Sequence, residues 1–241
     1  MRYPRQNQLY TETGIVHKFW KCHNNEFLFQ QKESKHLYFE AVGRGLRKEI
    51  TMGHVQLFAF ALMGNHSHQL LQYSDGCEHL SNYMRSTHTS FGRNFNDRNN
   101  RSGKVGNDRP KTPLIEDSSH SMRVHFYIEA NPIRAGICNR ESLKTYPYSS
   151  YGFYAFGIEN RFTSLLSIPD WYLELGDTPA QRQKKYRKLF DEYLVGSSMI
   201  YTFHQTFIGS DRWIEKSEDQ LRFFQTKRLA PSTLQMDDRS T

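Results

Sequence analysis

The stretch that most constrains the fold is residues 58–73, FAFALMGNHSHQLLQY. Residues 55–63 are almost wholly apolar and β-prone, Gly64-Asn65 is a turn signal, and a second run with strand character follows. The piece therefore reads as two strands around a tight turn, with His66 and His68 at the start of the second. Alternate residues of a strand share a face, so the two imidazoles point the same way and could share one ion, while Ser67 faces the opposite side. A bare His-x-His is more often structural than ligating, so the pair is half a metal site that needs a partner.

That partner lies in residues 122–137, MRVHFYIEANPIRAGI. Met122, Phe126 and Ala130 recur every four residues beside Val124, Ile128 and His125, which predicts a short helix, with Ser118 or Ser119 as its N-cap. Asn131 precedes Pro132, a position that disfavours helical geometry, so the helix is expected to end about there. Tyr127 and Asn131 are four apart and share one face of its last turns, which sets a phenol beside an amide oxygen. His125 and Glu129 lie near Tyr127 in the chain but off its face.

These residues resemble a known family. ALMGNHSHQLL is similar to the ALMPNHVHLLL-type signature of the single-tyrosine HUH transposases, and FYIEANPIRAG followed by YPYSSY is similar to the branch called REP-associated tyrosine transposases. The resemblance runs from residue 14 to residue 151, with four motifs in the family order. It implies an enzyme that cuts and rejoins single-stranded DNA beside hairpins. Tyr127 would be the nucleophile, forming a 5'-phosphotyrosine and freeing a 3'-hydroxyl that can later reverse the step. It implies a divalent ion, Mg2+ or Mn2+, held by His66, His68 and Asn131, with open positions for the scissile phosphate. Ser67 and Gln69 depart from the family, which is apolar at these core-facing positions, and Gly64 stands where proline is frequent, a change that should loosen the turn. No catalytic side chain is lost.

Charge points to the same class of partner. The net charge of +7 is concentrated between Arg85 and Lys111, where Arg85, Arg93, Arg98, Arg101, Lys104, Arg109 and Lys111 oppose only Asp97 and Asp108. A solvated loop is the ordinary meaning of a charge run. Here the arginines are interleaved with Phe91, Phe95 and His88, the mixture that grips phosphates and stacks bases in single-stranded nucleic acid. Arg134, just past the Tyr127 helix, would hold a phosphate or make a structural ion pair.

At 241 residues the chain suits one substantial core with an appendage: a catalytic domain over residues 1–157 and a helical extension over 158–241 with a disordered end. No apolar run reaches membrane-spanning length, and residues 1–10 lack the apolar centre of a signal peptide, so a cytoplasmic, nucleoid-associated protein is expected. Three scattered cysteines fit neither a disulfide framework nor a zinc knuckle and read as free thiols.

In chain order, residues 14–23 predict a strand with Val16, Lys18, Trp20 and Cys22 on one side; residues 32–50 and 78–95 predict amphipathic helices. Residues 96–108 read as a polar loop, and residues 109–116 as a short edge strand, since edges tolerate proline. Residues 146–156 read as a loop packing its rings over the sheet, residues 179–194 as a helix burying Tyr186, Leu189, Phe190, Tyr193 and Leu194, and Ser210 as the cap of another helix. The order strand, helix, strand, strand, helix, strand, plus an added helix, describes an α+β, ferredoxin-like antiparallel sheet with helices on one face and a C-terminal helical extension. The open face of such a sheet is where the histidines and the tyrosine could meet. The expected partner is single-stranded DNA with hairpin structure, bound by a monomer because the tail could cover a pairing surface; the rival readings are a domesticated hairpin-binding protein that does not cut and a metal-dependent hydrolase with Tyr127 incidental.

Overall fold

The computed structural model describes residues 11–48, 51–196 and 206–229. The expected disordered end, residues 230–241, lies outside the described residues, as do residues 1–10 and 49–50. The elements in order are β1 (Gly14–Lys21), α1 (Lys32–Leu46), β2 (Val55–Leu62), β3 (His66–Tyr73), α2 (Cys77–Arg98), β4 (Leu114–Ile115), α3 (Ser118–Arg134), α4 (Arg140–Leu143), α5 (Tyr151–Phe156), α6 (Asp170–Leu173), α7 (Pro179–Gly196), β5 (Phe207–Ile208) and α8 (Asp211–Leu229). Among the described residues no helix is long and apolar enough to cross a membrane, and the three cysteines are free thiols.

The first four strands lie in the order β2-β3-β1-β4, all pairs antiparallel, which is the ferredoxin-like arrangement; β5 adds to β4 in parallel. The expected edge strand over residues 109–116 is thus two residues long and not an edge. Local pattern cannot reveal this, because the covering strand comes from nearly a hundred residues downstream.

Two faces follow from strand alternation. Val16, Trp20, Leu57, Phe60, Leu62 and Leu71 pack under α1 and α2. Ala59, Ala61 and Leu70 lie on the other face, against Val124, Tyr127 and Ile128 of α3. A register shift between Leu57 and Ala59 places Phe58 as an extra residue, which keeps Phe60 and Leu62 toward the helices. The expected helices, α1 and α2, share one face, and α3 crosses the other. The outer side of α3 buries Phe126 and Ala130 against Tyr151, Tyr154, Trp171, Tyr186 and Phe190, so α5 to α7 pack onto it.

Several element ends differ from expectation. Helix α1 stops at Leu46 because the Thr51 hydroxyl takes the Gly45 carbonyl, and Gly45 is held against α2, where an added Cβ would come within 2.4 Å of the Thr87 hydroxyl. Helix α2 runs on to Arg98, so residues 96–98 are helical rather than loop. The N-cap of α3 is Asp117, whose carboxylate accepts from the His120 N–H at 2.9 Å, not Ser118 or Ser119. A carboxylate also complements the positive end of the helix dipole. Part of the 146–156 segment forms α5 rather than a loop, with Tyr151 and Tyr154 buried in the cluster with α3 and α7 and Phe153 and Phe156 partly buried. In α7, Tyr186 and Phe190 are fully buried, and Leu189, Tyr193 and Leu194 partly so. Ser210 precedes α8, but its hydroxyl donates to Glu116.

The core face of β3 accommodates its polar residues. Lys18, directly opposite Gln69, is fully buried; its ammonium donates to Gln69 Oε1 at 2.8 Å and to the Tyr38 hydroxyl at 3.0 Å. Tyr83 donates to the same Gln69 oxygen at 3.0 Å, and Tyr38 exchanges a 2.7 Å hydrogen bond with Ser67. Gln69 is therefore an acceptor for an internal cation, Ser67 pairs with the Tyr38 hydroxyl that also receives from that cation, and the strand remains buried.

Candidate active site

Helix α3 passes through Pro132 to Arg134 rather than ending at Asn131. Proline lacks the N–H that would reach Ile128 O, and the Asn131 side chain supplies the missing donor: Nδ2 lies 2.8 Å from Tyr127 O and 3.4 Å from Ile128 O. This orientation turns Oδ1 away from the helix backbone.

His66 and His68 lie on the sheet face that α3 crosses, with ring centroids 5.0 Å apart. The Tyr127 ring stands edge-on to His68 at 5.8 Å. The structure therefore brings the tyrosine to the histidine pair, at 5% exposure. His68 Nδ1 is 2.9 Å from His17 Nε2, and His66 Nδ1 is 2.7 Å from Asn65 Oδ1, so in both ligand candidates Nε2 is the nitrogen left for a cation. Burial, with a smaller contribution from Lys21, pushes His66 down to about 4, and burial pushes His68 well below its ordinary value. Both imidazoles are neutral at physiological pH, the form that ligates. Two neutral imidazoles on one strand face are donors of the kind a divalent metal ion takes. The only three-residue group of His, Cys, Asp or Glu drawn together among the described residues is Glu116, Asp117 and His120. Its carboxylates are already used, by the α3 cap and by the Ser210 N–H and hydroxyl.

Two residues of this site were not singled out from sequence. His17 stacks on His68 at 5.1 Å and stands edge-on to Tyr127 at 5.7 Å; Phe19 packs on His66 and His68 at 5.5 and 5.1 Å. The alternation of β1 placed both opposite Val16, Lys18 and Trp20, but only the pairing register sets Phe19 across from His68. A hydrogen bond to the second nitrogen of a ligating histidine fixes its tautomer and ring orientation, and losing one typically weakens metal affinity 10- to 100-fold. His17→Asn is expected to weaken Mn2+ binding by about that factor in titration calorimetry, with the far-ultraviolet circular dichroism unchanged.

Arg134 is exposed, its guanidinium 5.1 Å from the Tyr127 ring and 5.4 Å from the Tyr193 ring, with Nη2 donating to the Tyr193 hydroxyl at 3.0 Å. His125 and Glu129 point away from Tyr127, fully buried: Glu129 accepts from His125 at 3.2 Å, from Ser150 at 2.6 Å and from Tyr186 of α7. Neither can take the Tyr127 proton; the carboxylate docks α3 onto α5 and α7.

The basic stretch is divided. Arg85, Arg93 and Arg109 line a cleft of about 790 Å³ with Trp20, His88 and Asn96, on the α1/α2 face of the sheet. Arg44 of α1 and Lys48, two residues past its end, join Arg85 and Arg93 around an adjoining depression. Arg101 is paired with Glu26 at 2.7 Å. Arg98 and Lys104 are exposed, and Lys111 lies opposite Phe19, hence on the histidine face. Phe91 and Phe95 are core residues of α2 and His88 stacks on Trp20 at 4.5 Å, so the phenylalanines do not stack bases.

Fold and site together define a ferredoxin-like α+β protein with a paired-histidine strand facing a helical tyrosine. Among solved structures, the chain is similar to that of a REP-associated tyrosine transposase bound to a REP hairpin, with 15% identity and a TM-score of 0.49 over 66% of this chain and 88% of the other. No protein-family model matches the chain, and no curated protein matches it.

Proposed function

We propose that the protein is a transposase that nicks and rejoins single-stranded DNA beside hairpins, with Tyr127 as nucleophile and a divalent ion held by His66, His68 and Asn131. The observation that carries this reading is the approach of the Tyr127 ring to His68 on one sheet face. In the reaction the Tyr127 oxygen bonds to phosphorus as the bond to the 3'-oxygen breaks. The proton the phenol loses is balanced by the one the freed 3'-hydroxyl gains, and the phosphotyrosine keeps the bond energy for rejoining. When bound, the ion polarises a phosphate oxygen and helps orient it for in-line attack. Arg134, over the Tyr127 ring, meets the phosphate charge, and His17 holds His68 in place.

Arg85, Arg93 and Arg109, extended by Arg44 and Lys48, grip the phosphates of the duplex stem on the opposite face, while Lys111 serves the strand near Tyr127. Residues 1–157 form the catalytic part and residues 158–241 the extension, whose helices α6 and α7 brace α3. Because α3 is docked through Glu129 within its own chain, one chain builds the whole site, and a monomer suffices. A hairpin-binding protein that does not cut is the second reading, favoured by the low exposure of Tyr127. The two separate on incubation with an end-labelled single-stranded hairpin library and Mn2+: a denaturation-resistant protein–DNA adduct that EDTA abolishes is expected, whereas binding with no adduct sinks the cutting reading.

A further inference from the structure

At the end of the histidine face, Phe27, Phe29, Met63, Gly64, His66 and Ile137 enclose a mainly apolar hollow of about 320 Å³ with Gln30, Lys35 and Asn65 at its rim. This is within the size range of small-molecule sites, roughly 300–1,000 Å³. Phe27 is 60% exposed and Ile137 43%, so the hollow presents apolar walls to solvent. The Phe27 ring lies over the β2–β3 turn, where a Cβ on Gly64 would come within 2.9 Å of its Cδ1. The glycine that departs from the family pattern is thus what lets the ring sit there, and the Phe29 N–H fastens the segment to Gly64 O at 2.9 Å.

We propose that this hollow is a subsite for one unstacked nucleobase of the single strand, seated against the Phe27 ring. The proposal rests on the reading of His66 as a residue at the scissile phosphate, since His66 is a wall of the hollow and a phosphate held there brings its neighbouring base within reach. The occupant is argued from chemistry: an aromatic face for a flat π-system, two amide side chains for base-edge hydrogen bonds, and an ammonium for the backbone charge.

The test compares binding of fluorescein-labelled dT12 with that of the same backbone carrying abasic sites, by anisotropy without divalent metal. Stacking on one aromatic residue contributes about 1–3 kcal/mol per base, so about tenfold tighter binding of dT12 is expected, abolished by Phe27→Ala while the abasic strand binds both proteins equally. Phe223, the other strongly exposed phenylalanine among the described residues, supplies the control: Phe223→Ala should keep the preference. Failure of dT12 to bind, or an unchanged preference in Phe27→Ala, overturns the subsite. Because no cleavage is needed, adduct formation without Phe27-dependent base preference leaves the Tyr127 reading standing, and the preference without an adduct does the reverse.

Discussion

Tyr127→Phe is expected to abolish covalent attachment to hairpin DNA, by at least about a thousandfold, while the fold and hairpin affinity stay as in the wild type. The substitution removes one oxygen and leaves the ring, so the packing against His17 and His68 and the guanidinium stacking of Arg134 survive. Melting temperature and hairpin Kd measured on the same preparation separate loss of the nucleophile from loss of the fold. If the phenylalanine variant still forms an adduct, another side chain attacks and the site is misassigned. If it hydrolyses DNA at the wild-type rate without an adduct, the two histidines serve water activation instead.

The second large effect is on stability. Gln69→Leu is expected to cost about 3–5 kcal/mol, because the Lys18 ammonium, fully buried, loses its 2.8 Å acceptor and Tyr83 loses its own. Adding Lys18→Met should return most of that loss, since replacing a buried ionic group and its partner together by apolar groups of similar volume is often neutral or stabilising. Guanidinium denaturation of the two single variants and the double variant gives the coupling directly. Additive losses in the double variant would mean that Lys18 is neutral or solvated in the wild type.

This network also shows where sequence reading stops. Ser67 and Gln69 stood out as too polar for a buried face, and Lys18 was visible on that same face of β1. What joined them was the register of Lys18 opposite Gln69, which only the paired sheet supplies. The β2–β3 hairpin, the two helices beneath the sheet and the helix carrying Tyr127 were legible because each is a local pattern with a clear period. The phenylalanines of α2 were legible too: Leu80, Tyr83, Met84, Thr87, Phe91 and Phe95 form one stripe at helical spacing, all buried. Attention to the arginines between them favoured a nucleic-acid role that the stripe argued against. The α3 cap was ambiguous because Asp117, Ser118 and Ser119 all carry suitable acceptors. The β4–β5 pair was hidden because two-residue strands joined across the chain leave no pattern.

The amide at position 131 is constrained from two directions at once. A carboxylate would be the stronger partner for a hard cation, yet aspartate there would turn an oxygen toward two main-chain carbonyls that now receive a hydrogen, just where proline has left the helix one donor short. An alanine would close neither gap. On the proposed reading of Asn131 as a ligand, the affinity of the centre can be tuned only through its surroundings, because that same residue is the splint that carries the helix past its proline.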